Sequence, residues 1–369
     1  MNTSSYFVDG LITGKIRDAQ VFLQVMSMMI RLREKGIFRR IIFSGWHEDI
    51  LSLGDLVIHL KNNGVTVVDN GNNLPIKSCG HYWEQVKTLQ GGLEQIEDGV
   101  LFFKTRTDIL FYGGDETVAE IVANNQGYLS HSFGIKHKIW IPSFVALQPF
   151  FMADQCFLGL TDDFRRFLRF DADIEAQNIN VPFYPGSKTH PAAASAEIRF
   201  WLQPFLEQFE ALRSYRKVWP HSMNGHPHYP EIQAFHLNSP IYQEYLSIYW
   251  SILNSSFRVS EGKFCIVNGL DTDGKYIVRA NSHSNNSLLF INDAVNLITP
   301  YPVSYSTDLG LKRMLDTSDD LYRHSVYEPA FLRATSFKLT PERMSNFDAY
   351  FKDLISIAHP NNHLLESPL

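Results

Sequence analysis

Apolar residues in the first hundred positions fall into short runs, and longer segments with helical spacing lie between them. Tyr6-Phe7-Val8 reads as a buried strand that stops at the polar pair Asp9-Gly10. From Arg17 to Lys35, the residues Val21, Phe22, Val25, Met28, Met29 and Leu32 recur at the i, i+3, i+4 spacing of one helix face, and Gly36 supplies the C-terminal stop. Ile41-Ile42-Phe43 predicts a second strand ending at Ser44-Gly45-Trp46. Asp49 to Asn63 predicts a helix closed by Gly64, and Val65 to Val68 a third strand ending at Asp69-Asn70. A helix from about His81 to Ile96 leads to a fourth strand, Val100 to Phe103, which ends in Lys104-Thr105-Arg106-Thr107-Asp108.

Short strands without internal polar positions are buried on both faces, which is the habit of a parallel sheet sandwiched between helices. Right-handed crossovers then bring every strand's C-terminal end to one edge, and ligands of such folds bind there. The chain is therefore expected to build one site from strand ends far apart in sequence.

The alternation fades in the second half. Asp162 to Phe170 and Ala196 to Arg213 read as helices, Pro220 to Pro240 as a Pro/His-rich connector, and Pro240 to Asn254 as another helix. Asp271-Thr272-Asp273-Gly274 sits between two β-type runs, Phe264 to Val267 and Tyr276 to Val278, and reads as a hairpin turn. Leu288 to Ile291 is a short strand, and Pro341 to His359 a terminal amphipathic helix capped by Thr340. Residues 1–215 are expected to form the ligand-binding domain, and 216–369 an α+β extension that shapes the acceptor side or an oligomer interface.

Composition narrows the partners. The 33 Lys and Arg against 39 Asp and Glu give a net charge of −6, which argues against a dedicated nucleic-acid binder. Three well-separated cysteines, Cys79, Cys156 and Cys265, form neither a disulfide framework nor a zinc pattern and suit a reducing compartment. The opening MNTSSYFVDG has no basic n-region and no apolar h-region, so no signal peptide is expected. The apolar stretch from Ile139 to Met152 is too short to span a bilayer and holds Pro142 and Pro149. A cytoplasmic location is expected, with peripheral association at the inner face of the membrane left open.

Candidate chemistry concentrates at the end of the fourth strand. Lys104, Arg106 and Asp108 alternate, so an extended backbone sends them to one side. A carboxylate among cations there suits a metal–diphosphate ligand, because the carboxylate holds a hard cation and Arg grips phosphate oxygens. A surface ion pair is the plainer alternative. No G-x-G-x-x-G follows the first strand, and no P-loop is present. Asp171-Ala172-Asp173 reads as a helix exit. His221, His226, His228 and His236 read as a loop, with Trp219, Tyr229 and Phe235 nearby as core or sugar-stacking aromatics.

Several segments in order resemble the WavE-type lipopolysaccharide-synthesis family, bacterial relatives of nucleotide-sugar glycosyltransferases. They are VDGLITG (8–14), IIFSGW (41–46), NNLP (72–75), EQVKTLQGGL (84–93), FFKTRTDILF (102–111) and FFMADQCFLGLTDDF (150–164). The chain departs from the family at Glu84-Gln85, where Arg-Gln is usual, and at Asp9-Gly10-Leu11, where Gln-Gly-Pro is usual. The resemblance implies a GT-A-like, Rossmann-type α/β fold: a mostly parallel sheet flanked by helices, with a C-terminal α+β extension. It implies transfer of a sugar from a nucleotide-sugar donor to a glycan or lipid-linked glycan of the bacterial surface, in lipopolysaccharide or capsule synthesis; a homo-oligomer is left open. Asp9, Gly10, Trp46 and Gln85 would line the nucleotide pocket, and Lys104, Arg106 and Asp108 would handle the diphosphate. Asp108 matches the last Asp of the GT-A metal motif, which implies a divalent cation (Mn or Mg), although Arg106 stands where the first Asp would be.

On the acceptor side an inverting enzyme needs a carboxylate to take the acceptor hydroxyl's proton. Asp154, in the apolar segment FFMADQCFLG, is the first choice; it reads equally as an acceptor of neighbouring backbone hydrogen bonds. Glu197 is the second, with stabilisation of a helix N-terminus as its alternative. The rival to the whole reading is a non-catalytic nucleotide- or glycan-binding protein with a decayed site.

Overall fold

The computed structural model describes residues 7–73, 81–111, 113–130, 132–142, 150, 152–168, 196–214, 248–249, 251–259, 264–270 and 276–280. The expectations for Cys79, Asp171–Asp173, the four-histidine segment with its aromatics, the Asp271–Gly274 turn, the strand at Leu288 and the helix at Pro341 lie outside them.

The first half folds as strand and helix in alternation. β1 is Val8–Thr13, α1 Ala19–Glu34, β2 Ile41–Gly45, α2 His47–Ser52, α3 Leu56–Asn62, β3 Val65–Asp69, α4 Tyr82–Leu93 and β4 Leu101–Arg106. β5 (Ile109–Phe111), α5 (Asp115–Asn125), β6 (Ile139–Ile141), β7 (Phe157–Leu160), α6 (Thr161–Phe167) and α7 (Ala196–Leu202) follow. Then come β8 (Phe257–Val259), β9 (Phe264–Leu270) and β10 (Tyr276–Ala280).

Seven strands form the central sheet in the order β3-β2-β1-β4-β7-β6-β8. β3, β2, β1 and β4 are parallel; β7 runs against both β4 and β6, and β8 runs with β6. Six strands thus share one direction and β7 alone opposes them, the mostly parallel α/β sheet expected and one consistent with a Rossmann-like GT-A arrangement. β5, β9 and β10 form a small antiparallel sheet, with β9 and β10 as the expected hairpin arms.

Period-two alternation puts apolar side chains on both faces. Leu11, Ile42, Phe102 and Phe157 belong to a core with α4, α6 and α7. Ile12, Phe43, Phe103 and Leu158 belong to one with α1 and α5 on the other face.

The helix signals show why these segments coil. Asp18 caps α1 by accepting from the Val21 amide at 2.9 Å. At its other end Ile37 N donates to Leu32 O and Gly36 N to Arg33 O, a Schellman stop around left-handed Gly36. The helix expected from Asp49 to Asn63 is two, because Gly54 at φ +53° breaks it between α2 and α3. The helix expected from Ala196 to Arg213 is also interrupted: Pro204 falls in a tight turn over Gln203–Phe205.

β1 requires a correction that matters for function. The strand starts at Val8 instead of ending there, so Asp9 and Gly10 are internal. Asp9 is fully buried, and its carboxylate receives Arg39 Nε at 3.0 Å, Arg39 Nη2 at 2.9 Å and Arg40 Nη2 at 2.9 Å. These arginines precede β2 and are bridged by Glu97, all at the strands' N-terminal edge. A buried charge with complete partners is tolerated inside a strand, which a polarity pattern cannot foresee.

Candidate functional site

β1, β2 and β4 end at one edge, and a cavity of about 330 Å³ opens there. Thr13, Gly14, Lys15 and Arg17 enter it from the exit of β1, Trp46 from that of β2, and Lys104, Arg106 and Thr107 from β4. The first turns of α4 add Glu84, Gln85 and Thr88; the segment before β7 adds Asp154 and Gln155; α7 adds Glu197. The expected edge is therefore the one that carries the cavity. Of the residues named from sequence, Trp46, Gln85, Lys104, Arg106, Asp154 and Glu197 meet there.

Asp9 and Gly10 do not. Asp9 is held by its arginines at the opposite edge, and a β-carbon at Gly10 would press on Met29 at 2.7 Å and Ile41 at 3.0 Å, so that glycine serves core packing. Asp108 lies behind the cavity wall, in the turn after β4. Its two oxygens receive Arg106 Nε at 2.9 Å and Arg106 Nη2 at 2.6 Å, and Arg17 Nε approaches at 3.7 Å. Burial works against the Arg106 charge, but Asp108, joined by Asp154 and Glu197, outweighs it and raises the pKa.

Local packing explains the placement. A β-carbon at Gly91 would collide with Asn70, and one at Gly92 with Leu11, so this glycine pair lets α4 lie directly on the sheet. Ser44 Oγ donates to Thr88 O at 2.7 Å and accepts from Asn70 Nδ2 at 2.9 Å, fixing α4 to the end of β2. Thr107 Oγ1 donates to Lys15 O at 2.5 Å, which holds the β1 exit loop against the end of β4. Trp201 Nε1 donates to Met152 O at 3.1 Å and seats α7 beside the segment carrying Asp154.

Lys104 is the hub of the deeper wall. Its Nζ donates to Asp154 O at 2.6 Å and Gln155 O at 3.2 Å, and lies 5.4 Å from the Phe157 ring centroid. Burial pushes this ammonium down to about 8, with the Asp154 charge acting against the fall. Cys156 beside it is driven upward by burial, so it is no reactive thiol. Among the described residues, three buried acceptor oxygens on the cavity's lining have no hydrogen-bond partner: Asp154 Oδ2, Gln155 Oε1 and Glu84 Oε2. Unsatisfied buried acceptors are uncommon, and their gathering at one cavity is what a donor-bearing ligand would relieve.

Sequence reading missed Lys15, Arg17, Glu84 and Gln155 as site residues. In the sequence Glu84 stands out only as a departure from a family pattern. Lys15 and Arg17 carry a usable signal, two cations just past a strand's C-terminal end, once that end is Thr13 and not Asp9-Gly10.

Cation–carboxylate pairs and a partly open cavity at the parallel sheet's C-terminal edge make a polar site rather than a purely apolar one. No helix among the described residues is long and apolar enough to cross a membrane. No protein-family model matches the chain, and no curated protein matches it. Among solved structures the chain is similar to 4-diphosphocytidyl-2C-methyl-D-erythritol synthase from Anaerococcus prevotii, at 11% identity and a TM-score of 0.29, over 47% of this chain and 83% of that one.

Proposed function

We propose that the chain is a glycosyltransferase that takes a sugar from a nucleotide-activated donor and passes it to a bacterial surface glycan. The observation that carries the reading is the meeting, in one cavity, of the β4 cations with Asp154 and Glu197. Arg106 and the cationic β1 exit suit a diphosphate, and Trp46 and Gln85 suit the nucleoside end. Asp154 then takes the acceptor's proton as the acceptor oxygen bonds to the anomeric carbon and the bond from that carbon to the diphosphate breaks. Glu197 is the second acceptor-side carboxylate. The WavE-type resemblance supplies the surface-glycan acceptor, and residues 216–369, which give β8 to the central sheet, would shape the acceptor side or an oligomer interface.

The test is incubation with UDP-, GDP- and CMP-sugars, with and without bacterial glycan acceptors, while free nucleotide is measured. Nucleotide release that depends on Asp154 and Arg106 is the expected result. Tight donor binding without turnover on any acceptor would instead make the chain a binding protein. Release of pyrophosphate would make it a nucleotidyl transferase.

A further inference from the structure

The resemblance to GT-A enzymes implies a divalent cation on Asp108, and the residues there do not fit one. Asp108 presents both oxygens to the Arg106 fork, at 2.9 and 2.6 Å, with Arg17 Nε 3.7 Å away. A cation at this carboxylate would have to displace a bidentate charge-assisted pair and sit against two guanidinium charges. Hard cations ask for a shell of several oxygens. Among the described residues no three His, Cys, Asp or Glu side chains converge to begin one.

An anion meets the opposite conditions. A guanidinium has five N–H donors in a rigid plane. Asp108 takes two of those of Arg106, through Nε and one Nη2 hydrogen, and fixes the plane. Among the described residues these are the hydrogen bonds of Arg106, and its side chain lines the cavity with Arg17 and Lys15. Asp108 is 3% exposed, whereas the Arg17 and Arg106 side chains are 45% and 22% exposed, so the carboxylate is sunk and the cations face outward. The Thr107–Lys15 bond holds the loop bearing Arg17 in place beside β4.

We infer that Arg17 and Arg106, oriented by Asp108, form a metal-independent subsite for the donor's diphosphate. Arg17 and Arg106 are binding residues, and Asp108 is a positioning residue acting through Arg106. The inference rests on the reading that the cavity takes a nucleoside diphosphate.

Calorimetric titration of the full chain with uridine, guanosine, cytidine, adenosine and thymidine diphosphates, in EDTA and in Mn²⁺, separates the two claims. The expected result is that one diphosphate binds with equal affinity in both buffers. Arg17→Ala, a change at a half-exposed side chain, then weakens it roughly tenfold, the value of one charge-assisted contact. Asp108→Asn keeps one acceptor for the fork and retains more EDTA-resistant affinity than Asp108→Ala. If Asp108 merely supported the fold, both variants would lower the unfolding temperature but bind like the wild type once folded. Binding that needs Mn²⁺, or that is unchanged in Arg17→Ala, overturns the inference and leaves the nucleotide reading standing. No diphosphate binding in either buffer overturns the nucleotide reading, and the inference falls with it.

Discussion

The two edges of the central sheet carry the same ingredients, buried Asp and neighbouring Arg, and use them differently. At the N-terminal edge Asp9 is closed off by Arg39 and Arg40, with Glu97 completing the set. At the C-terminal edge Arg106 spends part of its donor set on Asp108, while Asp154, Gln155 and Glu84 keep buried oxygens without partners among the described residues, beside a cavity. A charge cluster that satisfies itself stabilises; one that leaves polar groups waiting at a cavity is poised to bind. An Asp followed by Gly at a strand looked like a site, and only the count of its partners shows that it is not.

Mutation at each edge tests this contrast. The largest effect is expected from Asp154→Asn, which removes the acceptor-side base and lowers turnover about 10²- to 10⁴-fold with donor affinity nearly unchanged; steady-state kinetics against calorimetry checks the split. Asp9→Asn at the other edge strips a buried ion pair of its charge, and urea titration should show a loss of about 3 kcal/mol, with ligand affinity intact in the folded protein. Were Asp9→Asn to abolish binding without loss of stability, the two edges would have been assigned the wrong way round.

Lys104 gives a pH test. Its folded pKa, about 8, lies below its ordinary value of 10.5. Between these values the unfolded chain holds the proton and the folded one does not, so stability from this group rises with pH. It is fully gained above about 10.5 and lost as pH falls to 8. The stability difference between wild type and Lys104→Met should therefore grow by up to about 3 kcal/mol across that window in urea titrations at successive pH values. A flat difference would mean that the ammonium is not desolvated. The smallest expected effect is from Gly92→Ala, where the added carbon meets the end of the Leu11 side chain. A cost of about 1–2 kcal/mol is expected in thermal unfolding, with some loss of affinity as α4 lifts from the sheet.

Much of the fold was legible because uninterrupted apolar runs and helical spacing are local signals: β2, β3, α1 and α4 lie close to where the pattern puts them. β5, β6 and β7 were not, since three- and four-residue strands such as Ile139–Ile141 become strands only by pairing with distant partners. The reversal of β7 is likewise a tertiary fact. At the site, Lys104 and Arg106 were readable from alternation on one strand, and Asp154 from a carboxylate in apolar surroundings. Arg17 and Asp108 were not readable in their roles, because a guanidinium fork back onto a carboxylate two residues later depends on the turn after β4, not on spacing.

The most direct test of the account is the affinity of the best-binding nucleoside diphosphate for Arg106→Ala and for Arg40→Ala, measured side by side by calorimetry. The account predicts a loss of at least about tenfold for Arg106→Ala, and wild-type affinity for Arg40→Ala. Wild-type affinity in Arg106→Ala would contradict it.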